Sequence, residues 1–252
     1  DTSGWCNVVP PPTPTSEADM TALSNPQIND LFRWCDDIGM FANDRPINDT
    51  ENHAGSCDHR TDYCDVTCYN VKLYKMYPNM AKRDDRCETI WQTINRFNAP
   101  NIKAWLDRKR KQTKRVRHMT RGEAIKDASD IYRVRDIALS NPDTIWWMPT
   151  RAWRSPMLKL MIEQDLMTLP NMAVNASLDP SNSREEWDML KRDGWNIMFF
   201  GDDNVTHDPD GERLFDCPKT GKGLKGHCGI CKAGCFSQTT IGKRKTILLH
   251  QH

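Results

Sequence analysis

The sequence has no run approaching the roughly eighteen consecutive apolar residues that a membrane-spanning helix needs. It has no internal repeat, no charged-then-apolar leader and no methionine at position 1, where DTSGWC opens the chain. That last feature reads as a trimmed or recombinant product. It also lacks a dominant charge: 35 Lys and Arg against 34 Asp and Glu leave a formal net charge of +1. What is present is globular in kind, with 38% apolar residues, 27% charged residues and nine tryptophans available for a core. A chain of 252 residues has the length for one large domain, or one domain with a small appendage.

The even overall balance hides one local excess. From Lys103 to Arg117, KAWLDRKRKQTKRVR carries eight basic residues against one acid, Asp107. Such a stretch is either a solvated helix face or a surface for phosphates. In the second case Lys103, Arg108, Lys109, Arg110, Lys111, Lys114 and Arg115 would meet nucleic acid, with Trp105 stacking.

Ten cysteines are distributed unevenly. Cys57, Cys64 and Cys68 form one tight group and Cys217, Cys228, Cys231 and Cys235 another, while Cys6, Cys35 and Cys87 are scattered. A secreted disulfide scaffold is normally shorter and spreads its cysteines through a small core. The even total and the sequons at Asn48, Asn175 and Asn204 keep that alternative open. Clustered spacing favours thiolates that share an inorganic ion, which implies a reducing cytoplasm.

Along the chain, residues 1–20 are proline-rich and polar and read as an extended arm. SNPQINDLFRWCDDIGMF reads as a helix capped by Ser24, and the first cysteine loop follows at 53–69. Residues 70–110 have helical character, interrupted at Pro78 and Pro100. An alternation then begins. RVRHMT, DTIWWMPT, NMAVNASLDP and WNIMFFGDD read as strands. Helices stand between them: one with Ile125, Ala128, Ile131, Tyr132, Val134 and Ile137 in register, one capped by Ser155, and one with Ser183 and Glu186 in a capping box before Gly194. Strand and helix alternating at about thirty residues per unit means a parallel sheet with right-handed crossovers. The expected fold class is therefore α/β, a partial (β/α) barrel or open parallel sheet, with a cysteine-rich metal-binding loop at each end. Residues 21–210 form the α/β domain and 211–252 a cysteine-rich tail. Chemistry in such folds collects at the carboxyl ends of the strands.

The tail, CPKTGKGLKGHCGICKAGCF, brings four thiolates together among glycines that permit tight turns; tetrahedral zinc and an iron–sulfur cube both fit four sulfurs. The first group offers three. A closed zinc site there needs His53 or His59, or Cys35 or Cys87, as a fourth ligand, whereas an open fourth position suits a catalytic cluster.

A three-cysteine loop ending in Cys68-Tyr69, a strand running into Gly122-Glu123, a strand ending in Thr150-Arg151 and then NASLDP resemble the layout of radical S-adenosylmethionine enzymes, although the spacing here is C-x6-C-x3-C. The resemblance implies a [4Fe–4S] cluster on Cys57, Cys64 and Cys68 and an electron donor as partner. It further implies S-adenosylmethionine contacts from Tyr69, Gly122, Glu123, Thr150 and Ser177, and catalytic roles for Glu123, Arg151 and Asp179. The tail is similar to the auxiliary modules of those enzymes, holding a second cluster or zinc. The chain also resembles the phage gene-product-88-like family over roughly 53–236, in the early C…C-x3-C-Y loop, the RHMTRGEA strand and turn, the P-T-R strand end and the terminal C…C-x2-C-x3-C. That likeness implies a viral source, metal binding and a location in the cytoplasm of an infected cell.

Two other readings stay open: a zinc-stabilised nucleic-acid-binding protein, and a base-modifying enzyme like the transglycosylase barrels, with Asp202 or Asp203 as nucleophile. Simpler roles exist for several of these residues. Glu123 can stabilise a helix N-terminus, Asp179 can start a turn before Pro180, and Arg151 and Arg154 can pair with carboxylates on the rim or hold an anionic ligand. Met148, Met157, Met161, Met167, Met172 and Met189 read as core filling. His250 and His252 read as exposed.

Overall fold

A computed structural model describes residues 22–109, 114–201, 204–220, 226–238 and 246–250. The expected arm at 1–20, Cys6, Arg110, Lys111, Asp202, Asp203 and His252 lie outside them. The elements run α1 (Asn25–Leu31), β1 (Arg33–Cys35), β2 (Met40–Ala42), α2 (Asp62–Thr67), α3 (Tyr69–Met76), α4 (Pro78–Gln92), α5 (Ala99–Lys109), β3 (Arg115–Arg117) and α6 (Ala128–Ser140). They continue with β4 (Ile145–Thr150), α7 (Pro156–Asp165), β5 (Met172–Leu178), α8 (Arg184–Arg192), β6 (Asn196–Gly201), β7 (Phe215–Asp216) and β8 (Ile247–His250). The eight strands form one open sheet in the order β1-β2-β3-β4-β5-β6-β8-β7. Only the β1–β2 pair is antiparallel. The fold is thus α/β with a mostly parallel, unclosed sheet. The tail strands β7 and β8 belong to that same sheet.

Strand side chains alternate between two faces, as the period of two requires. Phe41, Val116, Trp146, Met148, Met172, Val174, Ile197, Phe199 and Leu248 join the large core, together with Ile131, Val134 and Ile137 of α6, Leu158 and Ile162 of α7 and Trp187 and Leu190 of α8. Met40, Ala42, Trp147, Ala173, Met198 and Ile247 point the other way, into a smaller cluster with Cys235, against which Cys217, Cys228 and Phe236 pack. Helices α6, α7 and α8 therefore cover one face of the sheet and the cysteine tail covers the other.

Several local signals operate as their chemistry dictates. Ser24 with Gln27, and Ser183 with Glu186, close capping boxes. Pro78 and Pro156 sit in first turns, and Gly194, with φ of +82°, follows α8.

Other expectations are corrected. The helix expected across residues 24–41 ends at Leu31, because Phe32 turns extended and Gly39, at φ +63°, closes the β1–β2 hairpin. The first cysteine segment is not all loop: Cys64 lies in α2, and Cys68 is the extended residue between α2 and α3. Trp105 is buried, its indole donating to Asn29 at 2.9 Å, and stacks on no ligand surface. Met157 is 61% exposed rather than core. His250 is a strand residue with its ring against Asp216, not a solvated tail. Asn175 is 1% exposed on β5, so its sequon has no acceptor accessible to glycosylation.

Candidate functional site

The carboxyl ends of consecutive strands carry most of the polar residues that the sequence singles out. After β2 come Asn43, Asp44 and Arg45, all buried. Arg45 donates bidentately to Glu88 at 2.6 and 2.7 Å and to Asp130 at 2.7 Å, and the Trp91 indole donates to the other Asp130 oxygen at 2.7 Å. Asp44 accepts from Arg33 at 2.9 Å, Arg83 at 3.0 Å and Arg121 at 2.9 Å, and Arg121 forks onto Asp84 at 2.7 and 2.6 Å. This buried ionic lattice fixes the turn after β3, where Gly122 adopts φ of +76°.

Glu123 follows, itself buried. Its Oε1 accepts from the Ala124 N–H at 2.8 Å and its Oε2 from the Arg151 N–H at 2.8 Å, so the carboxylate stitches the turn after β3 to the end of β4. Burial raises its pKa, with the Arg151 N–H pulling the other way. Arg151 continues the row and pairs with Asp179, just past β5, at 2.9 Å. Asp179 also accepts from Ser181 and, across 118 positions, from the Thr61 hydroxyl at 2.5 Å. Arg151 thus takes the carboxylate-pairing alternative and Asp179 does start its turn. Thr150 is buried, its hydroxyl accepting from Ala152 N–H at 3.0 Å, and the Ser177 carbonyl accepts from the Trp153 indole at 3.2 Å.

The first cysteine segment lies across this row. Arg154 donates to the carbonyls of His59 at 3.2 Å and Arg60 at 2.9 Å, and Glu123 N–H donates to Ser56 at 2.9 Å. Burial pushes the Cys57 thiol up to about 12, and the Glu123, Cys64 and Cys68 charges add to that. The Cys64 thiol is raised as well, by burial first, with Arg151 opposing and Cys68 and Asp179 reinforcing. Cys57, Cys64, Cys68, Glu123, Arg151 and Asp179 therefore share one neighbourhood. Of the two histidines proposed to complete the group, His53 is elsewhere, its Nε2 meeting Thr89 at 2.7 Å, whereas His59 is near enough to act on the Glu123 charge while its Nε2 meets the Lys126 carbonyl at 3.1 Å. Cys87 is also elsewhere, donating to the Asp30 carbonyl at 2.9 Å.

Between the sheet face that the tail covers and the starts of α3 and α4 lies a cavity of about 810 Å³. All four tail cysteines line it, joined by Cys35, Tyr69, Asn70, Arg117, Trp147 and His227. Polar residues on that face hold the tail in place. Arg115 donates to the carbonyls of Cys228 at 2.8 Å and Cys231 at 2.7 Å and lies 4.1 Å from the Phe236 ring, while Asn175 donates to the Cys235 carbonyl at 3.2 Å. Burial pushes Cys228 up to about 11, with Arg117 opposing and Cys217 and Cys231 reinforcing, and pushes Cys235 up to about 12. The nine cysteines among the described residues are free thiols. Among those residues, no group of three or more His, Cys, Asp or Glu side chains is gathered closely enough to hold a metal ion.

The basic stretch divides. Lys103 pairs with Asp107 at 2.7 Å, Arg108 donates to Asn25 at 2.6 Å, Lys109 and Lys114 are exposed, and Arg115 is committed to the tail. Cys35, which the sequence offers as a recruit to the first group, lines the cavity of the tail cysteines instead. It arrives through the β1–β2 hairpin, and no local signal announces that.

The buried carboxylates set an acid limit. Burial works to raise Asp44 and Asp130, but Arg121 and Arg33 at the first and Arg45 at the second hold both below the ordinary 3.8. A carboxyl depressed on folding contributes stability above its unfolded pKa and loses it as pH falls. Urea midpoints should accordingly be flat from pH 8 to about 5 and decline below pH ~4; a midpoint unchanged at pH 3 would refute this.

Fold and site together define an open-sheet α/β protein with one thiol group on its carboxyl edge and a second lining a cavity on one face. The chain belongs to the gene product 88 family, a phage gene-product family whose pattern matches residues 44–234. No curated protein and no solved structure matches it, so the likeness to radical S-adenosylmethionine enzymes has no support from a relative. No helix among the described residues is long and apolar enough to cross a membrane.

Proposed function

We propose that this protein is an iron–sulfur enzyme in which Cys57, Cys64 and Cys68 hold a cluster with one open position, and in which S-adenosylmethionine is the cofactor. The observation that carries the proposal is that one short segment lays three thiols along the ends of three successive parallel strands, Cys57 within electrostatic reach of Glu123, Cys64 of Arg151 and Asp179, and Cys68 of the other two thiols. Three thiolates match a cube with a free iron in kind and number. Such a cluster supplies the electron for reductive cleavage of S-adenosylmethionine.

The chain's own residues have definite tasks in this reading. Arg151 sets positive charge beside Cys64 and is anchored by Asp179, and Glu123 fixes the Arg151 backbone. Gly122 lets the chain turn tightly enough to seat Glu123. The tail thiols hold a second cluster or a zinc ion. Both groups must draw inward on loading, because their side chains are not gathered round a common point.

Protein purified anaerobically should be brown, with absorbance near about 400 nm from ferric–sulfide charge transfer, and should contain acid-labile sulfide. Replacing Cys57, Cys64 and Cys68 together by alanine should remove the part of the iron and sulfide that the first group holds. Colourless protein containing only zinc, or iron content unmoved by the triple substitution, would end the proposal.

A further inference from the structure

The face cavity contains groups that the metal reading leaves unused. Arg117 and Trp147 are register partners on β3 and β4, and the guanidinium lies 4.8 Å from the centre of the indole. Arg117 donates through Nε to the Met119 carbonyl at 2.9 Å, and among the described residues no carboxylate pairs with it. The other basic groups lining the cavity are committed: Arg33, Arg83 and Arg121 to Asp44, and Lys219 to Asp37 at 3.1 Å.

Two residues of the same wall, Asn70 and His227, carry polar atoms without a partner among the described residues. Asn70 is 8% exposed, and its side-chain oxygen, a hydrogen-bond acceptor, is buried and unmatched; the buried Nδ1 of His227 is unmatched too. A buried polar atom left unpaired costs free energy, and a ligand that supplies its partner recovers that cost. Aromatic rings complete the wall, among them Trp34, Tyr69 and Trp147.

We infer that this cavity binds a nucleoside phosphate, with Arg117 taking the phosphate, Trp34 and Tyr69, lining rings that keep exposed surface, taking the flat base, and the Asn70 amide hydrogen-bonding a base edge. The volume of about 810 Å³ lies in the range of small-molecule sites and accommodates a nucleotide. A guanidinium that lies over an indole and bonds to the chain through Nε keeps its two terminal nitrogens available for bidentate contact with an oxyanion, a geometry that lysine does not reproduce. The inference goes beyond the iron–sulfur proposal and rests on other groups than its thiols, with Cys217, Cys228, Cys231 and Cys235 on the same cavity wall.

Calorimetric titration of the full chain with adenosine 5′-monophosphate, adenosine, inorganic phosphate and 2-naphthoate separates the contributions. The monophosphate should bind at least about ten-fold more tightly than adenosine or phosphate alone. Arg117→Gln should weaken the monophosphate by about ten- to a hundred-fold and leave adenosine unchanged, Arg117→Lys should lose part of that, and Asn70→Leu should weaken adenosine and its phosphate alike. Circular dichroism shows that each variant is folded, and the comparison of ligands on the unmodified chain stands even if one is not. Equal affinity for monophosphate and adenosine, 2-naphthoate binding as tightly as the nucleotide, indifference to Arg117→Gln in a folded variant, or no binding by any probe would overturn the inference.

Discussion

Replacing Arg45 with methionine should cost about 3–5 kcal/mol of stability, among the largest losses available from a single side chain in this fold. The guanidinium is 3% exposed, and its partners Glu88 and Asp130 are 3% and 0% exposed. Removing it leaves Glu88 without a counter-ion and Asp130 with Arg133 alone, at 2.9 Å, in a place where water cannot replace what is lost. Arg45 also donates to the carbonyls of Glu123 at 3.4 Å and Ala124 at 3.2 Å, so the turn that carries Glu123 loosens with it. Urea denaturation with a fixed slope measures the effect. Adding Glu88→Leu to the Arg45→Met chain should restore part of the loss, because one orphaned charge is then gone. A single substitution that moved the free energy by less than about 0.5 kcal/mol would mean that the lattice is not closed to solvent as described.

Gly122→Ala comes next, at about 2–5 kcal/mol. Two causes combine. The backbone at φ +76° disfavours any side chain, and a methyl group there would stand 2.5 Å from the Arg45 carbonyl and 2.6 Å from the Ser56 hydroxyl. Gly211 separates the two, since its φ is +82° but nothing lies within 4 Å of the added carbon. Gly211→Ala should therefore cost only about 1–2 kcal/mol of backbone strain. The difference between the two denaturation midpoints measures the crowding alone, and equal costs would show that Ser56 and Arg45 give way.

Much of this architecture is visible in the residues themselves. Trp146 and Trp147 sit side by side in a run that reads as a strand, and the structure sends one to each core. Ser24, Ser155 and Ser183 cap helices because a hydroxyl before an apolar-periodic segment satisfies free N–H groups wherever it occurs. The row from Gly122 to Asp179 follows from strand polarity, which puts the ends of parallel strands together.

What stays hidden is set by length and distance. Strands β1, β2 and β3 have three residues each and β7 has two, too short for any alternation to register. Arg115 and Arg117 read as part of a basic surface because the flanking residues are charged, yet the pleat turns both toward the face that the tail covers. Asn43-Asp44-Arg45 has the composition of a loop, and partners 11 to 85 positions away turn it into a buried lattice. Cys35 reaches the tail thiols in the same way, by pairing that no nearby residue encodes.

The position of β8 governs when the cavity can exist. It lies between β6 and β7 and supplies the neighbour to which β7 bonds. As the polypeptide leaves the ribosome, β7 and the tail cysteines emerge before the strand that docks them, and until β8 inserts, β7 has no edge to join. Such long-range closure is slow compared with helix formation. The sulfur-bearing segment therefore stands between two strands whose pairing closes last in chain order, so its shelter depends on a strand made after it.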